Sequence, residues 1–184
     1  MSKIGRKPIS LADVQVAVKN NELQYKGKNH SGVYYLPDNV QVRVVEGKLF
    51  VEPKTGSRVS GNVWGLHRAL IANALQGAAQ NFERRVEING LGFKAAVTGE
   101  KVQFTLGYTH KIMVDLPKEV KLSVDKTGQK LTFTSFDKAK LGQICAFVRS
   151  LRPPEPYKGT GIKYAEEIIR KKAGKAKVGA EGGA

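Results

Sequence analysis

The chain has 184 residues, 41% of them hydrophobic, enough for one substantial core or two small ones and too apolar for wholesale disorder. Lysine and arginine number 31 against 16 acidic residues, a formal charge of +15. Solubility alone does not require that surplus, so a polyanionic partner is expected. Nucleic acid is preferred to a membrane, because the apolar positions are committed to cores rather than to one exposed amphipathic stripe.

Met1 leads into SKIGRKP without an apolar signal region, and no run approaches the roughly 18 apolar residues of a membrane span. The protein is therefore expected to stay where it is made. From there the chain repeats itself. Leu23, Gln24 and Tyr25 match Val102, Gln103 and Phe104; Gly27 and His30 match Gly107 and His110; Leu36 and Pro37 match Leu116 and Pro117. Val40, Val42 and Val44 match Val120, Leu122 and Val124 at a spacing of 80, and LFVEP at 49–53 answers LTFTS at 131–135. Two copies of one small unit follow, joined near residues 80–85.

Within each copy, the alternation in 40–44 and in 120–124 has the period of two expected of strands with one buried face. Pro37-Asp38-Asn39, Glu46-Gly47 and Lys126-Thr127-Gly128 are turn signals, and connections this short predict antiparallel pairing. A helix is predicted from about Gly61 to Gln76, with Ser60 as cap, Gly77 as stop and Trp64, Leu66, Ala69, Leu70, Ala74 and Leu75 available for its apolar side. In the second copy Asp137 caps a helix carrying Leu141, Ile144, Cys145, Phe147, Val148 and Leu151, stopped by Pro153 and Pro154. The fold class is α+β: two tandem similar domains, each an antiparallel sheet with one helix packed on a face, plus a basic C-terminal tail. Domains are expected at 1–82 and 83–152, with an arm and tail at 153–184.

Catalytic chemistry finds no support. His30 and His110 sit at matched repeat positions and read as turn residues, His67 stands alone, and no Cys or His cluster has zinc spacing. Neither a metal nor a cofactor is expected. The single cysteine, Cys145, lies among apolar neighbours and reads as a core residue. GLGFKAAVTGEK at 90–101 lacks the spacing of a phosphate-binding loop and reads as a tight turn leading into a strand.

RPPEPYKGTGIKY at 152–164 is different in kind. Its prolines stiffen the exit from the second helix, and its glycines let backbone approach a partner closely. Arg152, Lys158 and Lys163 can meet phosphates, while Tyr157 and Tyr164 offer flat faces to bases or sugars. Beyond it, Arg170, Lys171, Lys172, Lys175 and Lys177 form a run with no acid between them, a segment expected to order on a polyanion. Residues 1–82 carry 11 cations and 5 acids, residues 83–184 carry 20 and 11, so the second half is the stronger candidate for the main contact. A protein-binding module docking on an acidic partner is the second reading, and an enzyme acting on RNA the third.

RPPEPYKGTGIKY resembles the C-terminal signature of the family of the sixth protein of the bacterial large ribosomal subunit. SKIGRKPI, GLHRALIANAL, GLGFKA and LGYTH extend the likeness over nearly the whole chain. The resemblance implies a non-enzymatic, structural constituent of the large subunit in the cytoplasm, or in an organelle of bacterial descent. It implies binding to large-subunit rRNA near the stalk base and the sarcin-ricin loop, among neighbouring ribosomal proteins and close to where translation factors dock. By the resemblance Arg152, Tyr157, Lys158, Gly159, Gly161 and Lys163 face RNA, with Lys94 the charge of the glycine-rich turn. Thr160 stands where the family usually carries lysine, a departure at one of the phosphate contacts that the resemblance implies.

Overall fold

A computed structural model describes residues 2–11, 13–54, 61–99 and 101–174. The chain divides into two compact units, Met1–Glu83 with Thr134–Leu141 and Arg84–Phe133 with Gly142–Ala184.

Seven elements come from the first part of the chain: β1 (Ile9–Ser10), β2 (Gln15–Lys19), β3 (Glu22–Lys26), β4 (Ser31–Tyr35), β5 (Val40–Val45), β6 (Lys48–Pro53) and α1 (Gly61–Ala79). The strands form two sheets, β2-β3-β4 and β1-β6-β5. All their pairings are antiparallel, with Leu23 opposite both Val18 and Tyr34 and with Val42 opposite Val51. The β5–β6 hairpin turns on Glu46 and Gly47, both at positive φ (49° and 71°), the conformation whose twist matches that of the flanking strands.

Alternation then does what it predicts. Leu49 and Val51 of β6 are buried, as are Leu23 of β3 and Val40 of β5, and they join Ile9, Leu36, Ile71 and Leu75 in one core. Helix α1 packs on β6 and β3. It presents Ile71 and Leu75, one turn apart, while Trp64 donates its indole N–H to the Val51 carbonyl at 2.6 Å. Two apolar assignments fail: Leu66 is 54% and Leu70 41% exposed, because Ile71 and Leu75 already fix the buried face. Gly77 does not stop the helix, which continues to Ala79. A Cβ at Gly77 would collide with the Phe136 carbonyl, so glycine stands there for a close approach. The expected cap Ser60 lies outside the described residues.

The remaining elements are β7 (Phe82–Asn89), β8 (Lys94–Thr98), β9 (Lys101–Thr105), β10 (Ile112–Asp115), β11 (Val120–Val124), β12 (Lys130–Ser135), α2 (Lys138–Leu151) and β13 (Gly161–Tyr164). Their sheets are β10-β9-β8 and β11-β12-β7-β13. The duplication is plain in this order. Strands β8 to β10 answer β2 to β4, β7-β12-β11 answers β1-β6-β5, and α2 answers α1. Strand β13 has no counterpart in the first series and extends the second sheet beyond β7.

Asp137 caps α2 as expected, its Oδ1 accepting from the backbone N–H of Ala139 (2.8 Å) and Lys140 (3.3 Å). Leu141, Cys145 and Val148 form its buried stripe, whereas Phe147 is 49% exposed. Cys145 is wholly buried, and that burial pushes its thiol pKa up to about 11, against a smaller opposing pull from Arg84.

Candidate RNA interface

Beyond α2 the chain closes a loop on itself. Glu155 donates its N–H to the Thr160 carbonyl (2.9 Å), Gly159 donates to the Glu155 carbonyl (3.0 Å), and the Thr160 hydroxyl donates to Glu155 Oε2 (2.9 Å). Two positions in this loop need glycine. Gly159 has φ +75°, and Gly161, at φ +135°, leaves room for the Pro153 carbonyl, which would lie 2.6 Å from any Cβ. The close approach that glycine permits at 161 is thus to the chain's own backbone.

Strand β13 then pairs antiparallel with β7, from Gly161 opposite Asn89 to Tyr164 opposite Val86, and buries Ile162 completely. It is the last member of its sheet, a place that suits a strand preceded by so proline-rich a turn. Further on, Lys172 donates its backbone N–H to the Pro156 carbonyl at 2.9 Å, which carries the basic run back to the loop. Lys171 Cε lies 3.7 Å from the place a Gly159 Cβ would take. Lys158, Arg170, Lys171 and Lys172 are all exposed, as is Tyr157. Lys175 and Lys177 lie outside the described residues.

Lys163, Tyr164 and Arg152 have partners within the protein. Lys163 Nζ is 3.2 Å from Glu87 Oε2, and its side chain is only 22% exposed. Tyr164 carries the Arg84 guanidinium 4.2 Å above its ring, with that of Arg149 at 5.8 Å. Arg152 donates to the Leu106 carbonyl, while its guanidinium stands 4.8 Å from the Phe93 ring centre and 5.2 Å from that of Tyr108. Lys94 is exposed at the start of β8, just after a turn in which Gly92 has φ +74° and Phe93 donates to the Gly90 carbonyl.

Several residues of this neighbourhood escaped the sequence reading. Arg84 and Arg149 flank Tyr164, and Arg149 grips Glu167 by donating from Nε to Oε2 (2.8 Å) and from Nη2 to Oε1. Hydrogen bonding from Arg149 holds the Glu167 carboxyl below the usual carboxylate range and raises the pKa of Arg149 in turn. Phe93 and Tyr108 were visible only as members of the GLGF and LGYTH motifs.

Among the described residues no group of three or more His, Cys, Asp or Glu side chains could hold a metal ion, and no helix is long and apolar enough to cross a membrane. The repeat-matched histidines serve local packing. His30 stacks on Phe136 with ring centres 3.8 Å apart, and His110 lies nearly parallel to Tyr108 at 6.2 Å.

Residues 89–165 match the sequence model of the family described as Ribosomal protein L6. The chain is also 44% identical to the large ribosomal subunit protein uL6 of Anaeromyxobacter dehalogenans (strain 2CP-C), over 95% of this chain and 98% of that protein. The chain belongs to the ribosomal protein L6 family. Proteins of the same name from Campylobacter concisus (strain 13826), 44% identical, and Methylacidiphilum infernorum (isolate V4), 40% identical, match over the same shares. An L6 chain is a structural, non-enzymatic constituent of the large ribosomal subunit. The L6 match opens beside the Gly90–Lys94 turn and closes just past β13, so it frames the loop and both aromatic partners of Arg152.

Proposed function

We propose that this chain binds large-subunit rRNA mainly through the loop after α2 and the basic run that returns to it. The observation that carries the proposal is the Lys172 N–H bonded to the Pro156 carbonyl: it gathers Lys158, Lys171 and Lys172 around a loop already closed by its own hydrogen bonds. Cations held by a preordered backbone lose little freedom on meeting phosphates, and so can clamp RNA helices and stabilise their tertiary fold.

In this reading residues 153–184 are the RNA-binding arm, 83–152 the domain that carries it, and 1–82 the first copy of the repeat. Lys94, Tyr157, Lys158, Gly159, Arg170, Lys171, Lys172, Lys175 and Lys177 form the contact surface. Arg152, Gly161, Lys163 and Tyr164 hold that surface in shape. Following the family likeness, the site on the particle is the stalk base beside the sarcin-ricin loop, among other ribosomal proteins and near the docking place of translation factors.

The test is binding of the full chain to deproteinised large-subunit rRNA at graded salt, followed by crosslinking within the particle. With three or more phosphates neutralised, affinity falls by tenfold or more between about 50 and 200 mM salt. A salt-independent association, or crosslinks remote from the stalk base, would overturn the respective part of the proposal.

A further inference from the structure

Arg152 ties the start of the loop to the rest of the protein through both its backbone and its side chain. Its carbonyl accepts the Ile162 N–H at 2.8 Å, fixing the entry of β13. Its guanidinium donates to the Leu106 carbonyl and stands over Phe93 and Tyr108. Tyr108 returns the connection by donating its hydroxyl to the Leu151 carbonyl at 3.0 Å, immediately before Arg152. Gly107, at φ +74°, makes room: a Cβ there would lie 2.8 Å from the Phe93 ring and 3.2 Å from Arg152 Nη1. Three separate chain segments, the Gly90–Lys94 turn, the Leu106–Tyr108 turn and the end of α2, therefore meet on one guanidinium.

Resting on the interface proposed above, we infer that Arg152 is a positioning residue, which locks the Lys94 turn and the Lys158 loop into one rigid surface so that both lysines engage the same rRNA site. The chemistry explains why arginine is used. A planar guanidinium stacks on rings and donates in fixed directions at once, which the single ammonium of lysine does not do. A phosphate contact alone makes no such demand.

The test measures affinity for deproteinised large-subunit rRNA, and its salt slope, in a set of full-chain variants. Lys94→Ala and Lys158→Ala are made alone and in combination with Arg152→Lys. Positioning predicts that Arg152→Lys, with charge unchanged, weakens binding by roughly tenfold and lowers the slope by about 1.8, the share of two phosphates. In that background Lys94→Ala and Lys158→Ala lose most of their effect. An Arg152 that merely touches phosphate predicts near-normal binding for Arg152→Lys and fully additive lysine variants, and either result overturns the inference. Should Arg152→Lys fail to fold, Phe93→Leu removes one stacking ring without altering charge. It is expected to weaken rRNA binding several-fold with a reduced salt slope, and unchanged binding by a folded Phe93→Leu variant overturns the inference. If Lys94→Ala and Lys158→Ala leave the otherwise normal protein's affinity untouched, the interface itself is wrong, an outcome distinct from failure of the Arg152 role.

Discussion

Arg149 on α2 grips Glu167 with both Nε and Nη2, pinning the segment after β13 to the helix that precedes the loop. Glu167 also accepts the Tyr164 N–H at 3.3 Å, so one carboxylate ties the end of β13 to α2. Because the pairing depresses the folded-state pKa of Glu167, its stabilisation is present above the unfolded value of about 4.3 and is lost as pH falls through the lower folded value. Arg149 stays protonated throughout and opens no window of its own. Glu167→Gln should therefore lower stability above about pH 5, and with it the melting temperature, by less than about 1 kcal/mol of unfolding free energy for so partly exposed a pair, and the difference should close on acidification. Thermal melts of both proteins between about pH 3 and 7 check this; a gap that widens towards low pH contradicts it.

Lys158 and Lys163, grouped by the sequence as surface cations, separate in the structure. Lys158 is exposed, whereas Lys163 is paired with Glu87. Lys158→Ala with Lys171→Ala should cut the salt slope of rRNA binding by about 1.8 and move stability by no more than about 0.5 kcal/mol. Lys163→Ala should instead lower the slope by much less, since the β13–β7 pairing persists, and cost up to about 1 kcal/mol of stability. Filter binding and chemical denaturation on the same samples separate the two.

Core substitutions sort by the same geometry. Leu23→Ala, at a fully buried position, should cost about 2–5 kcal/mol through its cavity. Leu70→Ala, whose side chain is 41% exposed, should cost less than about 1 kcal/mol. Urea titrations of equal slope would measure both; a large loss at Leu70 would mean a packing partner outside the described contacts.

Glycines offer a paired test. Gly161→Ala meets both φ +135° and the Pro153 carbonyl, and should destabilise by on the order of 1–3 kcal/mol. Gly142→Ala lies within α2 with nothing inside 4 Å of its new methyl, and should stabilise by about 0.5–1 kcal/mol. Differential scanning calorimetry of the two variants should show shifts of opposite sign.

Cys145 should be inert in the native protein. Buried, with its thiol pKa at about 11, it offers neither access nor thiolate at neutral pH. Maleimide labelling should proceed at the rate of global opening and accelerate with denaturant; rapid labelling in buffer alone would show that α2 detaches locally.

Much of this was legible in the residues. The duplication, the antiparallel strands and the Asp137 cap follow from periodicity and turn chemistry, which act over a few neighbours. The division of strands into two sheets per copy was not, since alternation around Val42 or Leu122 reports a buried face and not the identity of the neighbouring strand. Leu66 and Leu70 misled because α1 carries more apolar residues than its contact face needs. The partners of Arg152 and Lys163 within the protein were not legible for a related reason: a cation looks alike in sequence whether it meets a phosphate, a ring or a distant glutamate. Thr160, read as a missing lysine, proves to close the loop through Glu155.

Because β13 lies against β7, the outer edge of β7 must wait during synthesis until the residues beyond the proline turn have emerged from the exit tunnel. Until then the nascent second unit presents an unpaired strand edge, a surface prone to misassociation. Truncation between the end of α2 and Gly161 should thus yield a chain whose β7 edge stays open and which aggregates.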